Sequence, residues 1–326
     1  MGCLVRSVLG ISPVEASPVR RGFHTGAAAG QLEEVGRAFV AGYNAALAEP
    51  DLPALQSRLE RMAPGLQGFA YEGAAMAFAL LDLFTPWRAE RWRKLHAGPG
   101  APHSYMLHVG AGWALARLPV GIDKYLARFD PLLRWLVLDG YGFHEGYFHA
   151  PDSIAAQRLP ARLRDYARHA FDQGLGRSLW FVCGAEPARL TAAIRAFAVA
   201  RQGDLWSGVG LAATYAGGAD AEALRALARA AGEHSGELAQ GACFAAKARL
   251  RAGNPVPHNE LACRLLAGLG LHDAAGLTDI CLAGLQDADA ATPAYEIWRR
   301  RIRERVAQHA GTPRPTGPLL VEGVSA

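Results

Sequence analysis

The chain has 326 residues, 51% hydrophobic and 20% charged, which excludes a disordered, collagen-like or small disulfide-stapled protein. Its 34 basic and 30 acidic residues leave a formal charge of +4, too small for the footprint of a dedicated nucleic-acid binder. Cys3, Cys183, Cys243, Cys263 and Cys281 are scattered with no C-x-x-C pair, which argues against a disulfide framework or structural zinc and fits a reducing cytoplasm.

In chain order, residues 1–30 read as a partly irregular leader rich in Pro, Gly and Ala. Met1-Gly2-Cys3 is similar to a myristoylation start, but Arg6 stands where Ser or Thr is wanted, and no secretory h-region follows. Over residues 31–47, Leu32, Val35, Phe39, Tyr43 and Leu47 fall on one helical face. Residues 190–200, 221–231 and 294–306 have the same amphipathic character. The uncharged stretch 95–116 is broken by Pro99, Pro102 and three histidines, so it does not read as a membrane span. Strand signals are sparse, and the expected class is all-α.

Small-residue stretches resembling helix starts recur at Gly73, Gly110, Gly146, Gly176, Gly208 and Gly241, separated by 37, 36, 30, 32 and 33 residues, with Gly276 a weaker seventh. Each interval holds one apolar helix, a turn and one amphipathic helix. This predicts αα-hairpin repeats of about 30–37 residues forming a helical solenoid or α/α toroid, a single domain over residues 31–311. The glycine-bearing helices would line the inner layer, with arginine-rich helices outside. Prolines and glycines beyond residue 312 predict a mobile tail to residue 326.

Candidate chemistry concentrates in Gly142-Phe143-His144-Glu145-Gly146-Tyr147-Phe148-His149. This is not H-E-x-x-H: on one continuous helix His144 and His149 stand roughly 140° apart, so no shared metal is expected, whereas Glu145 and His149 can meet. Glu72 precedes a run, Gly73 to Ala77, too apolar for a solvated face. It lies either at a helix N-terminus or inside a pocket. Glu72, His144 and Glu145 are the candidate proton-handling residues, if the two acids project into one cavity. A structural Glu–His pair is the competing reading.

Beside the anchors, Tyr71, His108, Trp113, Tyr147, Phe148, His149, Arg177, Trp206, Ser207 and Gln240 are candidate ligand contacts. Aromatic faces of this kind suit a long apolar or polyene ligand. Arg177 with Ser178 reads as a weaker anion site at a helix N-terminus. The basic run 298–305 reads as a solvated outer helix, with docking of an acidic carrier protein the alternative. No metal, nucleotide, flavin or haem signature is present, and no cofactor is expected.

Arg21-Gly22-Phe23, GFAYEGAAMAFALLD (68–82), GWALARLP (112–119), LDGYGFHEGYF (138–148), GLGRSLWFVCGA (174–185) and DLWSGVGLAATYAGG (204–218) together resemble the UnbL-type family of conserved enediyne-biosynthesis proteins, the domain of unknown function 1702. The resemblance covers roughly residues 20–305. It implies a cytoplasmic bacterial accessory protein that acts, with UnbV-like and UnbU-like partners, on the linear polyene of an enediyne polyketide synthase. It carries over no catalytic residue. Two functions are therefore expected: a cofactor-independent tailoring protein of cyclase or isomerase type enclosing the polyene, with any oxidation supplied by a partner, or a non-catalytic scaffold or chaperone for the synthase. Neither requires nucleic acid or stable membrane insertion.

Overall fold

Leu32, Val35, Phe39, Tyr43 and Leu47 are all buried on one face of a helix spanning Ala29–Ala48, as the 3.6-residue period requires. The computed structural model describes residues 9–49, 51–88, 90–285 and 292–311. The Met1-Gly2-Cys3 start and the tail 312–326 lie outside the described residues. Among the described residues there are sixteen α-helices and no strand. They are α1 Pro18–Arg21, α2 Ala29–Ala48, α3 Leu52–Glu60, α4 Pro64–Phe84, α5 Arg91–Ala97, α6 Ser104–Arg117, α7 Ile122–Leu126 and α8 Trp135–Phe148. After a wide turn at Pro151–Ala155 come α9 Tyr166–Val182, α10 Pro187–Arg195, α11 Val199–Ala216, α12 Ala221–Ala231, α13 Ser235–Arg251, α14 Pro257–Leu266, α15 Leu271–Leu282 and α16 Ala294–Gly311.

Long helices α2, α4, α6, α8, α9, α11 and α13 pack against one another in chain order, and mostly shorter helices connect them on the outside. The long helices are apolar nearly all round, which is the pattern of an inner layer. The connecting helices α10 and α12 bury only one stripe, Leu190 and Ile194 or Leu224 and Leu227, and face solvent with their charges.

The anchor glycines sit in the middle of the long helices, where two helix backbones cross. A β-carbon on Gly73, Gly110, Gly140, Gly174, Gly208 or Gly241 would lie 1.7–2.2 Å from a carbonyl oxygen of the preceding long helix, far inside contact distance. Two residues further on, Gly112, Gly142, Gly176 and Gly210 meet the next long helix in the same way, and Gly42 does so from α2. The register is constant: each first glycine rests on the carbonyl of the residue before the equivalent position one helix back, Phe39, Glu72, Val109, Asp139, Gln173 and Ser207 in turn. Only a residue without a side chain permits so close an approach.

This corrects two details of the sequence reading. The anchors lie within the helices and not at their starts, and the positions in α8 and α9 equivalent to Gly73 are Gly140 and Gly174, while Gly176 meets the next long helix and Gly146 faces the Ser178 hydroxyl. Gly276 meets nothing and is no seventh anchor.

Hydrogen bonds tie the last of these long helices back to the second. Arg249 on α13 donates to the carbonyls of Gly65 on α4 and Tyr215 on α11, and Asn254 donates to Pro64 at 3.1 Å. Residues 9–28 are strapped across one end: Tyr43 donates to Leu9, Asn44 bonds Ile11 twice, and the His24 amide donates to Val182 at 3.0 Å. No single helix among the described residues is long and apolar enough to cross a membrane.

The crossings predict opposite signs for one substitution. Alanine improves intrinsic helix propensity by about 1 kcal/mol over glycine, so Gly276→Ala, facing open space, should stabilise the protein by up to that amount. Gly142→Ala and Gly174→Ala must push helices apart and should destabilise by about 1–3 kcal/mol. Urea denaturation of the three variants checks this, and equal effects at all three sites would contradict the crossing role.

Candidate functional site

The residue before each first glycine occupies an equivalent inward position: Glu72, Val109, Asp139, Gln173, Ser207 and Gln240, all buried. Burying so many polar groups in one layer is costly unless each finds a partner. Ser207 donates to Gln240 at 2.8 Å, Arg299 from α16 donates to the same Gln240 oxygen at 3.1 Å, and the Tyr295 hydroxyl bonds Gln173 at 3.3 Å. Asp139 is bonded by the buried Arg177 guanidinium, which also lies 4.8 Å over the Phe143 ring. Glu72 is the exception: neither of its carboxylate oxygens meets a hydrogen-bond partner in the protein.

Glu72 is 1% exposed, and burial pushes its carboxyl up to about 7; Arg177 opposes the shift and Asp139 adds to it. The Trp113 indole N–H stands near the carboxylate without normal hydrogen-bond geometry, and is itself unpartnered. Burial also raises Asp139, with Arg177 pulling it down. Two acids thus share one guanidinium, and an added proton on Glu72 makes the trio neutral. A carboxyl balanced in this way near neutral pH can give or take a proton.

Two narrow apolar slots flank the polar layer. Glu72 borders the first, a cavity of about 40 Å³ walled by Phe39, Phe69, Trp113, Tyr147 and Phe148, with Ile11 and Ala16 of the N-terminal strap. Arg177 borders the second, about 30 Å³ walled by Val109, Leu136, Leu211, Tyr215 and Trp298. Both are lined almost wholly by apolar atoms, and each has room for only a few water-sized groups unless side chains move.

His144, Glu145 and His149 gather elsewhere, at the end of α8. Glu145 bonds His144 Nδ1 at 3.1 Å and His149 Nδ1 at 3.2 Å, and one donor atom from each of the three lies within 4.8 Å of the others. The expected 140° separation fails because α8 stops at Phe148: His149 has left the helix and its ring folds back. Burial holds His144 below the usual histidine range although Glu145 opposes this, and Glu145 is lowered by its two imidazoles against the effect of burial. Glu145 borders neither slot, so the two candidate acids do not share one cavity; Trp113 stands between, touching the first slot and the His144 ring.

Of the other candidate contacts, Trp113, Tyr147, Phe148 and Arg177 border a slot. Tyr71 stacks on His103 at 4.2 Å, His108 is bonded to the Ser104 carbonyl and pushed down to about 4 by burial, and Trp206 is core. Ser207 and Gln240 belong to the polar layer. The anion-site reading of Arg177 and Ser178 is overturned: both lie deep inside α9, where backbone amides are already bonded, and Ser178 donates to Leu175. Nor is the basic run an outward face, because successive residues turn to different sides of α16. Arg299 is buried with Asp204 and Glu296, Arg301 bonds the Cys281 and Ala283 carbonyls, and Arg303 pairs with Glu296.

Sequence reasoning missed Asp139 and Arg299. The signal for Asp139 was available: an acid in the apolar run Leu136-Val137-Leu138-Asp139, directly before a glycine, as Glu72 is.

The chain belongs to the family described as protein of unknown function DUF1702, whose model matches residues 1–306. No curated protein and no solved structure matches it.

A raised folded pKa for Glu72 means the protonated carboxyl is the favoured buried form, so its contribution to stability is largest below about 4.5 and is lost as pH rises towards 7. Glu72→Gln removes this dependence. The stability of the variant relative to the parent should rise by about 3 kcal/mol between pH 4.5 and pH 7.5 and then stay level. Denaturation across that range checks it, and a flat difference would contradict the burial assignment.

Proposed function

We propose that the protein is a tailoring component of enediyne polyketide biosynthesis that encloses a polyene-derived intermediate and moves a proton on it. The observation carrying this reading is the Glu72 carboxyl, unpartnered and raised to about 7, on the wall of a narrow aromatic slot. Aromatic walls hold a conjugated chain without demanding hydrogen bonds. Protonated Glu72 would deliver its proton to one carbon of the chain, and the carboxylate, held by the nearby Arg177 charge, would take a proton from another. The product is an isomer or ring of the same composition, with no electrons gained or lost. Alkyne formation is an oxidation, so that step falls to a partner of the UnbV-like or UnbU-like kind. Scaffolding of the synthase through the basic run is the weaker reading, since Arg299, Arg301 and Arg303 are engaged internally.

Co-expression with the cognate polyene synthase tests the proposal by ultraviolet–visible spectrum and product mass. Glu72→Gln should lower conversion by about 10²–10⁴-fold, the usual worth of a proton-transfer group. Reversal of the exposed Arg300 to Glu should leave it unchanged. Full conversion by the Gln variant would remove the chemical role.

A further inference from the structure

We propose that His144, Glu145 and His149 form a binding site for one divalent transition-metal ion, independent of the polyene reading. Two imidazole nitrogens and a carboxylate oxygen are an N₂O donor set of the kind that holds Zn²⁺, Fe²⁺ or Co²⁺ with positions left open. Three features of the fold converge on it.

First, the donors are already turned towards one point. Glu145 stands between the two rings, whose centroids are 5.7 Å apart, and one donor atom from each residue lies within 4.8 Å of the others. Metal bonds of about 2.1 Å need donors about 3–4 Å apart. His149, 52% exposed in its side chain, supplies the inward adjustment of about 1 Å by a rotamer change. Second, the anchoring ligand is fixed. His144 is buried, its ring set edge-on to Trp113 at 5.6 Å and tilted against Phe148 at 4.9 Å. Third, the site lies at the C-terminal end of α8, the negative end of the helix dipole, where the Arg21 guanidinium already bonds the Tyr147 and Phe148 carbonyls at 3.3 and 3.4 Å. The exposed side of His149 leaves room for water or an exogenous ligand. Trp113 and Phe148 place the ion behind the wall of the Glu72 slot.

The test uses full-length, tag-free protein, stripped with a chelator and titrated with Zn²⁺ against a chromophoric competitor and with Co²⁺ by visible absorption. The expected result is one saturable ion per chain and a Co²⁺ spectrum of a four- or five-coordinate site. Affinity should weaken as pH falls through the imidazole range. His149→Ala and Glu145→Gln should each weaken binding by at least about 100-fold while helix content, read by circular dichroism, is unchanged. His272→Ala, at an exposed histidine elsewhere, should bind as the parent does. Absence of one-to-one binding, or binding indifferent to His149→Ala, would leave a hydrogen-bonded His–Glu–His cluster only and overturn the proposal. Neither result bears on Glu72, since no polyene is present.

Discussion

Backbone-to-backbone contact between consecutive long helices is the constraint on which the rest depends. Six crossings repeat one geometry, a glycine of one helix against a carbonyl of its neighbour, and five of them are reciprocated by a second glycine. The helices approach so closely that no side chain separates them at the crossing, and side chains on either side of it must fill an unusually thin interior. Only small apolar cavities remain beside the crossings.

The same register fixes the charge at the centre. A residue directly before a crossing glycine points inward in every long helix, so polarity at that position is buried polarity. Four of the six residues there are paired by bonds that cross between helices, Asp139 to Arg177, Ser207 to Gln240 to Arg299 and Gln173 to Tyr295. Removing one member of such a pair leaves the other unsatisfied, a cost of about 1–3 kcal/mol or more. Glu72 stands out against that background. A structural carboxylate in this layer would be expected to hold a partner as Asp139 does; one that faces an apolar slot without a partner is destabilising by itself, and such groups persist at sites of function.

Much of this was legible in the sequence, and the misreadings share a cause. The buried face of α2, the all-helical class and the oddity of an acid in an apolar run came from periodicity and polarity, which act locally. The glycine repeat is visible in the sequence but its place within the helices is not, because a small residue marks either a boundary or a close approach, and only the neighbouring helix distinguishes them. Arg177 is hidden for the same reason: its local sequence resembles a helix N-terminus, whereas it lies deep in α9 with Asp139 from α8 as its counter-charge. The arithmetic that separated His144 from His149 assumed that α8 continued, whereas it ends at Phe148. Nothing local in the run 298–305 shows which arginine faces the core; Arg299 is set by the partners Asp204, Gln240 and Tyr166 from three other helices or their edges.

The N-terminal strap connects the two candidate sites. Ile11, Glu15 and Ala16 complete the wall of the Glu72 slot, Phe23 packs edge-on against Tyr147 at 4.9 Å, and Arg21 covers the Phe148 ring at 4.5 Å while bonding Glu15. Tyr147 and Phe148 are the residues immediately before His149, so the segment that closes the slot also braces the turn that brings His149 back to Glu145. Phe148 touches both, one face of the chain on the slot and its ring against His144. The strap and the end of α8 thus border both the Glu72 cavity and the His–Glu–His cluster.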